Sequence, residues 1–280
     1  MPITFTTDFG LKDGFAGVMK GVVLGINPKA SIVDISHEID PGNIREAMFV
    51  LETSVKYFPK GSIHVAVVDP GVGSGRRGLV IRLSGRAGGF HLVGPDNGIF
   101  TPFLGAAEKI ISIEREKFSL RGKKKSKKDF NFFQGSTFDG RDVFAPAAAW
   151  LSKGVRAEEF GPEVKDPVKL SLPELAFKGG KVFGCVLHVD RFGNCITNID
   201  AGWLLKLGKE KEQIRIKAKG LTFGIANFYL QAGDEKTKTK TKAKNLYGIV
   251  NSSGLLELFV PGGNASRRLG LAPWTPVTVF

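Results

Sequence analysis

The sequence predicts an α/β fold with a mostly parallel sheet flanked by helices, followed by a small antiparallel β-barrel domain. Three observations lead to this prediction. Strand-like and helix-like apolar patterns alternate in the first part of the chain, the third strand of this series is almost wholly apolar, and short strands separated by glycine-rich turns fill residues 181–280. Strands that alternate with helices need crossover connections and form parallel sheets covered on both faces. A series of short strands is typical of a small barrel or sandwich.

The first part of the chain begins with alternating strands and helices. Apolar spacing predicts strands at 3–7, 31–35 and 63–68, and helices at 17–26 and 44–55. Asn27 and Pro28 end the first helix, and Pro41 suits the first turn of the second. Further strands are predicted at 79–83, 90–93 and 109–113, before an alanine-rich helix at 140–151.

Composition divides the rest of the chain. We expect an N-terminal α/β domain at 1–160, a connector at 161–180 that is rich in proline, glycine and charge, and a β-barrel domain at 181–280. Strands of the last domain are predicted at 181–189, 195–199, 213–217, 246–250, 255–259 and 276–280.

Length and composition exclude several classes of protein. The chain has 280 residues and 42% hydrophobic content, so it can bury a sizeable core. No apolar run approaches the ~20 residues that span a bilayer, and the first residues lack the layout of a secretory signal, so we expect a cytoplasmic protein without membrane association. Two cysteines, Cys185 and Cys195, and four histidines without metal-binding spacing predict reduced thiols and neither metal nor cofactor.

The formal net charge is +13, which ordinarily suggests a nucleic-acid partner. The excess is concentrated in two lysine runs, at 123–128 and 236–242. Neither run contains the aromatic side chains that a nucleic-acid platform interleaves with its basic groups. We therefore interpret both runs as solvated loops and expect no nucleic-acid partner.

Two acidic residues stand where strands end. Asp8 follows the first strand, and Asp69 follows the third. Ligands of open α/β sheets bind outside the carboxyl ends of the strands, so these side chains point toward one shared crevice. The loop after Asp69 lacks the Gly-Lys-Ser/Thr ending of a phosphate-binding loop and has Arg76 where a dinucleotide-binding loop has its last glycine. Two interpretations stay open: Arg76 folds back beside Asp69, or Arg76 and Arg77 are solvated in an ordinary turn.

Other polar residues have structural explanations. Asp139 precedes the alanine-rich helix and suits its N-cap, and Asp142 suits its first turn. Asp190 to Asn194 read as a hairpin turn, and the segment from Asn251 to Gly254 reads as another.

Eight short motifs, taken together and in their order along the chain, are more specific than any one of them alone. They are Thr7-Asp8-Phe9-Gly10, Val33-Asp34-Ile35-Ser36-His37, Val68-Asp69-Pro70-Gly71-Val72-Gly73, Val93-Gly94-Pro95-Asp96-Asn97-Gly98, Ser136-Thr137-Phe138, Gly140-Arg141-Asp142, Phe192-Gly193-Asn194 and Asn251-Ser252-Ser253-Gly254. Together they resemble the S-adenosylmethionine hydroxide adenosyltransferase family, whose relatives are the fluorinase and the chlorinase. The resemblance covers nearly the whole chain.

The resemblance implies hydrolysis of the small-molecule substrate S-adenosylmethionine to adenosine and methionine, without a cofactor. Water or hydroxide attacks the ribose C5′ carbon and displaces the sulfonium sulfur. It also implies a homotrimer whose active sites lie between the first domain of one subunit and the second domain of its neighbour.

The resemblance further implies roles for individual residues. Asp8 is similar to the residue that holds the ribose hydroxyls. The family holds the methionine end of the substrate with residues similar to Asp13, Asp190 and Ser252. It surrounds the adenine with residues similar to Phe192, Asn194 and Tyr229. Phe138 is also expected to bind the substrate.

The implied catalytic residues are Asp69, Arg76 and Asp139. The family has a histidine at the position of Asp139, and an aspartate there adds negative charge beside Asp69. Two consequences stay open: Asp139 polarises the water instead, or the water site is impaired. A halide-dependent adenosyltransferase and a non-catalytic S-adenosylmethionine sensor are the alternatives. The halide enzymes lack the acidic residue that matches Asp69, and Gly140 stands where the fluorinase has serine, so water is the favoured nucleophile.

Overall fold

The computed structural model of the protein describes residues 1–84, 89–120, 137–229 and 245–280. These residues form two compact units, Met1–Leu170 and Ser171–Phe280. The first is an α/β unit and the second an antiparallel barrel-like unit, so the predicted fold class is confirmed. Both predicted lysine-rich loops, at 123–128 and 236–242, lie outside the described residues.

The first unit contains six described strands and four described α-helices. The strands are β1 (Pro2–Thr7), β2 (Ser31–Ser36), β3 (Ile63–Val67), β4 (Gly78–Leu83), β5 (His91–Pro95) and β6 (Ala107–Ser112). The helices are α1 (Phe15–Ile26), α2 (Ile44–Ser54), α3 (Arg115–Phe118) and α4 (Ala145–Ser152). The strand order is β2-β1-β3-β5-β4-β6. The pairs among β2, β1, β3 and β5 are parallel, whereas β4 runs antiparallel to both of its neighbours.

Helices cover both faces of this sheet. Val65 and Val67 on β3 pack in one cluster with Met19 of α1 and the alanines of α4, whereas Ala66 packs in a second cluster with Leu51 of α2. Successive strand residues point to opposite faces, which is why β3 is buried along its whole length. The small side chains of α4 allow this close packing against the sheet.

The second unit contains eight described strands and two short helices. The strands are β7 (Ala176–Lys178), β8 (Lys181–Val189), β9 (Cys195–Asp200), β10 (Ile216–Ala218), β11 (Leu221–Phe223), β12 (Tyr247–Val250), β13 (Leu255–Phe259) and β14 (Pro276–Val279). The helices are α5 (Ala201–Leu205) and α6 (Ala265–Leu269). The order is β11-β10-β14-β8-β9-β13-β12, and β7 pairs with β8. Ile225, just after β11, bridges Gly248 of β12, which nearly closes the barrel.

Three local features differ from the sequence predictions. The second helix begins at Ile44 with Asn43 as its N-cap, so Pro41 lies before the helix and outside its first turn. The helix predicted over 140–151 begins as a π-helical turn, Gly140–Phe144, before α4. Asp139 stands at its N-cap position, but its side chain makes no capping hydrogen bond.

Both cysteines are buried and unpaired with each other. Burial, together with the nearby charges of Asp190 and Glu257, raises the pKa of Cys195 to about 12. Among the described residues, no helix is both long and apolar enough to cross a bilayer.

Candidate active site

A cavity of about 380 Å³ opens at the carboxyl ends of β1 and β3. Its lining is Asp8, Phe9, Phe15, Gly42, Val67, Asp69, Pro70, Val72, Thr137, Phe138, Asp139 and Gly140. Four residues singled out from the sequence, Asp8, Asp69, Phe138 and Asp139, therefore meet at one cavity. Two adjacent parallel strands deliver the first two of these carboxylates, as the position of each after its strand predicted.

Backbone contacts fix the turn that carries Asp8. Its Oδ2 accepts a hydrogen bond of 2.8 Å from the Gly42 N–H. The Phe9 N–H donates to Thr7 Oγ1 at 3.3 Å, and the Gly10 N–H donates to the His37 carbonyl at 2.7 Å. The Asp8 carboxylate is thereby held at the cavity edge.

A chain of polar side chains lies behind this turn. Thr7 Oγ1 and His37 Nδ1 are 2.8 Å apart, His37 Nε2 lies 3.1 Å from Asp34 Oδ1, and Lys20 Nζ donates to Asp34 Oδ2 at 2.5 Å. Partial burial works against the charged form of Asp34, but Lys20 and His37 hold its pKa below the usual value. The motif around Asp34 and His37 therefore supports the position of the Asp8 turn from outside the cavity.

Arg76 folds back onto Asp69. Its Nε donates to Asp69 Oδ1 at 2.7 Å and its Nη2 donates to Asp69 Oδ2, which is the two-pronged geometry of a strong guanidinium–carboxylate pair. The Asp69 and Arg76 side chains are only 5% and 9% exposed. The interpretation of this segment as a turn with a solvated Arg76 is therefore wrong.

Two further contacts hold the loop between Asp69 and Arg77. The Asn97 side chain donates to the Val68 carbonyl at 2.8 Å, which fixes the end of the strand just before Asp69. Arg77 donates through Nε to Asp96 Oδ2 at 2.7 Å, and Asp96 is buried. The motif from Val93 to Gly98 thus supports the loop that presents Asp69.

Asp139 binds two guanidinium groups. Its Oδ2 accepts from Arg76 Nη2 at 2.8 Å, and Arg115 donates to its Oδ1 and Oδ2 at 2.9 and 2.8 Å. The Asp139 side chain is 1% exposed, and that of Arg115 is 37% exposed. The prediction that Asp139 caps the following helix is wrong because the carboxylate turns toward these cations. The Asp139 carboxylate is thus held by positive charge on both sides.

Arg76 contacts both carboxylates but is not part of the described cavity lining. Its Nε–H and both Nη2 hydrogens are directed to Asp69 and Asp139, and its Nη1 donates to the Arg77 carbonyl at 3.1 Å. Within the described residues, Asp69 and Asp139 line the cavity and Arg76 does not. A guanidinium whose donors are committed in this way orients carboxylates.

An aromatic wall faces the carboxylates. Phe9, Phe15 and Phe138 pack with ring centroids 5.2–5.8 Å apart. A Cβ on Gly140 would lie 3.0 Å from Phe138 and from the Met19 sulfur, which is tighter than an ordinary contact. A glycine at position 140 therefore lets the aromatic wall sit close to the π-helical turn, a type of turn that is frequent at functional sites.

Asp13 does not belong to this cavity lining. It is exposed in the segment between Gly10 and α1.

The remaining predicted residues belong to the second unit. Asp190 Oδ1 accepts hydrogen bonds from the Phe192 and Asn194 N–H groups at 2.9 and 2.8 Å. Gly193 has φ 84°, and a Cβ there would collide with Asn264. This turn leaves Phe192 77% exposed. The predicted hairpin turn is therefore present, and it presents an aromatic face to solvent.

A second polar group lies in the same unit. The Tyr229 hydroxyl donates to Glu257 Oε1 at 2.8 Å, and Asn251 Nδ2 donates to Glu257 Oε2 at 3.1 Å. Desolvation and the carboxylate of Glu257, with a further contribution from Asp190, raise the pKa of Tyr229 to about 12. Ser252 is exposed in the adjoining turn.

Sequence reasoning missed two members of these groups. Arg115 lies after β6 without a motif of its own, and only the fold brings it to Asp139, so no local signal identifies it. Glu257 is 3% exposed and is the one charged residue within the otherwise apolar strand β13. A lone charge in a buried strand needs partners, so this sequence pattern is a signal for a polar cluster.

Family models and relatives agree with the motifs. Residues 3–161 match the SAM hydroxide adenosyltransferase N-terminal domain, and residues 184–278 match the C-terminal domain of the same family. The chain is 38% identical to an (R)-S-adenosyl-L-methionine hydrolase of Methanocaldococcus jannaschii, covering 96% of this chain and 92% of the relative. It is 34% identical to a protein of the same name from Thermus thermophilus, covering 100% and 99%.

More distant relatives and a solved structure complete the comparison. A fluorinase of an Actinoplanes species is 27% identical over 80% of each chain. The crystal structure of an uncharacterized conserved protein from Thermotoga maritima is similar with a TM-score of 0.85 and 32% identity, covering 99% of both chains. The resemblance inferred from the motifs is confirmed, and the chain belongs to the SAM hydroxide adenosyltransferase family.

Proposed function

We propose that this protein is an enzyme that hydrolyses S-adenosylmethionine to adenosine and methionine. Water attacks the ribose C5′ carbon, a C5′–O bond forms, and the C5′–S bond breaks with its electron pair passing to sulfur. The sulfonium thus leaves as the neutral thioether of methionine, and the proton of the water passes to a carboxylate.

One observation carries this proposal: two carboxylates, Asp69 and Asp139, line one cavity and are both hydrogen-bonded to Arg76. Paired carboxylates can orient a water molecule and accept its proton. The hydrolases among the relatives, at 33–38% identity, support water as the nucleophile, whereas the fluorinases are more distant.

Asp69 is the proposed acceptor of the proton. It lines the cavity at the end of β3. Asn97 holds the backbone just before Asp69, and Arg76 holds the Asp69 carboxylate. Holding the water in line with the C5′–S bond raises the rate for a weak nucleophile, because the entropy of bringing the reactants together is lost on binding. Arg76 is one of the catalytic residues that the resemblance implies. Its committed donors favour a role in which it orients Asp69 and Asp139.

The cavity also offers groups suited to hold the substrate. We propose that Asp8 accepts hydrogen bonds from the ribose hydroxyls. The aromatic wall of Phe9, Phe15 and Phe138 suits a sulfonium cation, because the faces of aromatic rings attract positive charge. For the second unit, we propose that Phe192, Asn194 and Tyr229 hold adenine.

The methionine end is assigned to three polar residues. We propose that Asp13, Asp190 and Ser252 bind its amino and carboxyl groups. Asp13 and Ser252 are exposed in the chain described here, which leaves both accessible to a ligand.

We further propose a homotrimer in which the first unit of one subunit and the second unit of its neighbour build each site. Exposed apolar side chains on the first unit, Leu11, Phe15 and Val18, support an interface there. Sedimentation gives the oligomeric state. Mixing two inactive variants, Asp69→Asn and Asp190→Ala, should restore part of the activity if each site draws on two subunits. Failure of the refolded mixture to exceed either parent contradicts a shared site.

Incubation with S-adenosylmethionine followed by chromatography tests the proposed reaction. We expect adenosine and methionine in equal amounts. Formation of 5′-chloroadenosine in chloride would instead identify a halide-dependent adenosyltransferase. Tight binding of S-adenosylmethionine without product after a long incubation would identify a non-catalytic sensor.

A further inference from the structure

Arg115, the first residue of α3, is placed beside Asp139 by the backbone just before that helix. The Ile113 N–H donates to the Gly78 carbonyl at 2.8 Å, and the Glu114 N–H donates to the Phe160 carbonyl at 2.8 Å. Arg115 then reaches both oxygens of Asp139, and its Nη2 lies 3.4 Å from the Arg76 carbonyl. A fork of two parallel hydrogen bonds fixes the plane of the carboxylate as well as its position.

The charge of this cluster depends on Arg115. Asp69, Arg76 and Asp139 together carry one net negative charge, and all three side chains are at most 9% exposed. Arg115 brings the four groups to neutrality. Taking an uncompensated charge out of water is costly, so a buried carboxylate needs a partner. The family's histidine at the position of Asp139 leaves the three groups neutral when its ring is uncharged. In this chain, the pair of Asp139 and Arg115 has no net charge, so the four groups together are also neutral.

Neutrality matters for the proposed reaction because its substrate is a cation. S-adenosylmethionine carries a positive sulfonium, and that charge disappears as the bond to sulfur breaks. A net negative cluster would stabilise the bound substrate more than the transition state, which lowers kcat. It would also disfavour the hydroxide-like charge that develops on the attacking water.

We infer that Arg115 is a positioning residue that compensates for the aspartate at position 139: it holds the Asp139 carboxylate and keeps the cluster of Asp69, Arg76, Asp139 and Arg115 neutral. This role rests on the proposed hydrolysis. It assigns a function to a residue outside the trio predicted from the sequence, and it explains how the chain keeps a water site without the histidine.

The test uses opposite charge changes at the two members of the pair. Arg115→Met leaves the cluster negative, Asp139→His with a neutral ring leaves it positive, and the double variant leaves it neutral. The readout is the ratio of the dissociation constants of S-adenosylhomocysteine, whose sulfur is uncharged, and S-adenosylmethionine. Calorimetry measures both constants.

We expect Arg115→Met to favour S-adenosylmethionine roughly threefold to tenfold over its neutral analogue and to lower kcat roughly tenfold without raising KM. Asp139→His should shift the affinity ratio the other way. The double variant should return the ratio toward that of the wild type and recover kcat relative to Arg115→Met. Arg115→Lys, which keeps the charge and loses the fork, should retain the wild-type ratio.

Arg82→Met is the matched control, because Arg82 is also 37% exposed and pairs with two carboxylates, Glu108 and Glu158, at the surface. It should leave the ratio and kcat unchanged. Equal ratios in wild type, Arg115→Met and Asp139→His, or a double variant as slow as Arg115→Met, would overturn the inference. Should the wild type bind both compounds without releasing adenosine, the proposed hydrolysis fails while the ratios still decide the role of Arg115. Binding of neither compound overturns both.

Discussion

The acidic residues of the two units are held in different ways. In the first unit, Asp69 and Asp139 are bound by the guanidinium groups of Arg76 and Arg115. In the second unit, Asp190 is bound by backbone N–H groups, and Glu257 by a phenol and an amide. Charge-assisted pairs fix the position of a carboxylate more strongly than neutral donors do, whereas neutral donors shape a turn or a recognition surface. This contrast agrees with the proposal that the proton acceptor lies in the first unit and that the second unit contributes substrate-binding groups.

The largest expected effect is on turnover, from Asp69→Asn. We expect kcat to fall by roughly a hundredfold to ten-thousandfold, the usual contribution of a positioned proton acceptor. The dissociation constant of S-adenosylmethionine should change far less. Adenosine formation and calorimetry measure the two quantities. The matched control is Asp166→Asn, since Asp166 is an exposed carboxylate paired with Arg77. Unchanged turnover in Asp69→Asn would contradict the proposal that the proton acceptor lies in the first unit.

Acid should destabilise the first unit through His64. Burial lowers the pKa of this histidine to about 4, from an ordinary 6.5. Between these values the unfolded chain binds a proton that the folded chain excludes, so stability is complete above 6.5 and is lost as pH falls toward 4. The loss is about 2 kcal/mol near pH 5.

Thermal unfolding near pH 7.5 and near pH 5 measures this loss. His64→Leu removes this titrating group and should reduce the dependence of stability on pH in this range. The same loss in the variant as in the wild type would contradict the assignment to His64.

Tyr229→Phe tests the proposed binding role of the second unit. The variant removes the hydroxyl that donates to Glu257, and we expect KM to rise roughly tenfold with kcat nearly unchanged. Tyr57→Phe, at an exposed tyrosine of the first unit, is the control. Steady-state kinetics separate the two parameters, and a fall in kcat alone would place chemistry in the second unit.

The smallest effect is expected from Lys20→Met. The ion pair of Lys20 with Asp34 is partly exposed, so its loss should cost less than about 1 kcal/mol of unfolding free energy. Adenosine formation should change less than twofold. A loss of activity comparable to that of Asp69→Asn would show that the polar chain behind Asp8 takes part in the chemistry.

The sequence predicted features that depend on local pattern. Strands predicted at 181–189 and 255–259 agree with β8 and β13, because alternating or apolar runs bounded by turns specify them. The meeting of Asp8 and Asp69 was predictable because both follow parallel strands.

Other features depend on tertiary contacts. The strand predicted at 213–217 begins only at Ile216, because Glu210 and Gln213 cap a 3₁₀ turn before it. The short edge strand β7 is exposed throughout and therefore has no apolar pattern. The bond between Arg115 and Asp139 joins residues 24 positions apart through the fold, so local patterning does not reveal it.

Hydrolysis in oxygen-18 water tests most directly the central claim that water attacks the C5′ carbon. Mass spectrometry should find one labelled oxygen in adenosine, at O5′, and none in methionine. Label in the amino-acid product, or adenosine without label, would contradict the claim.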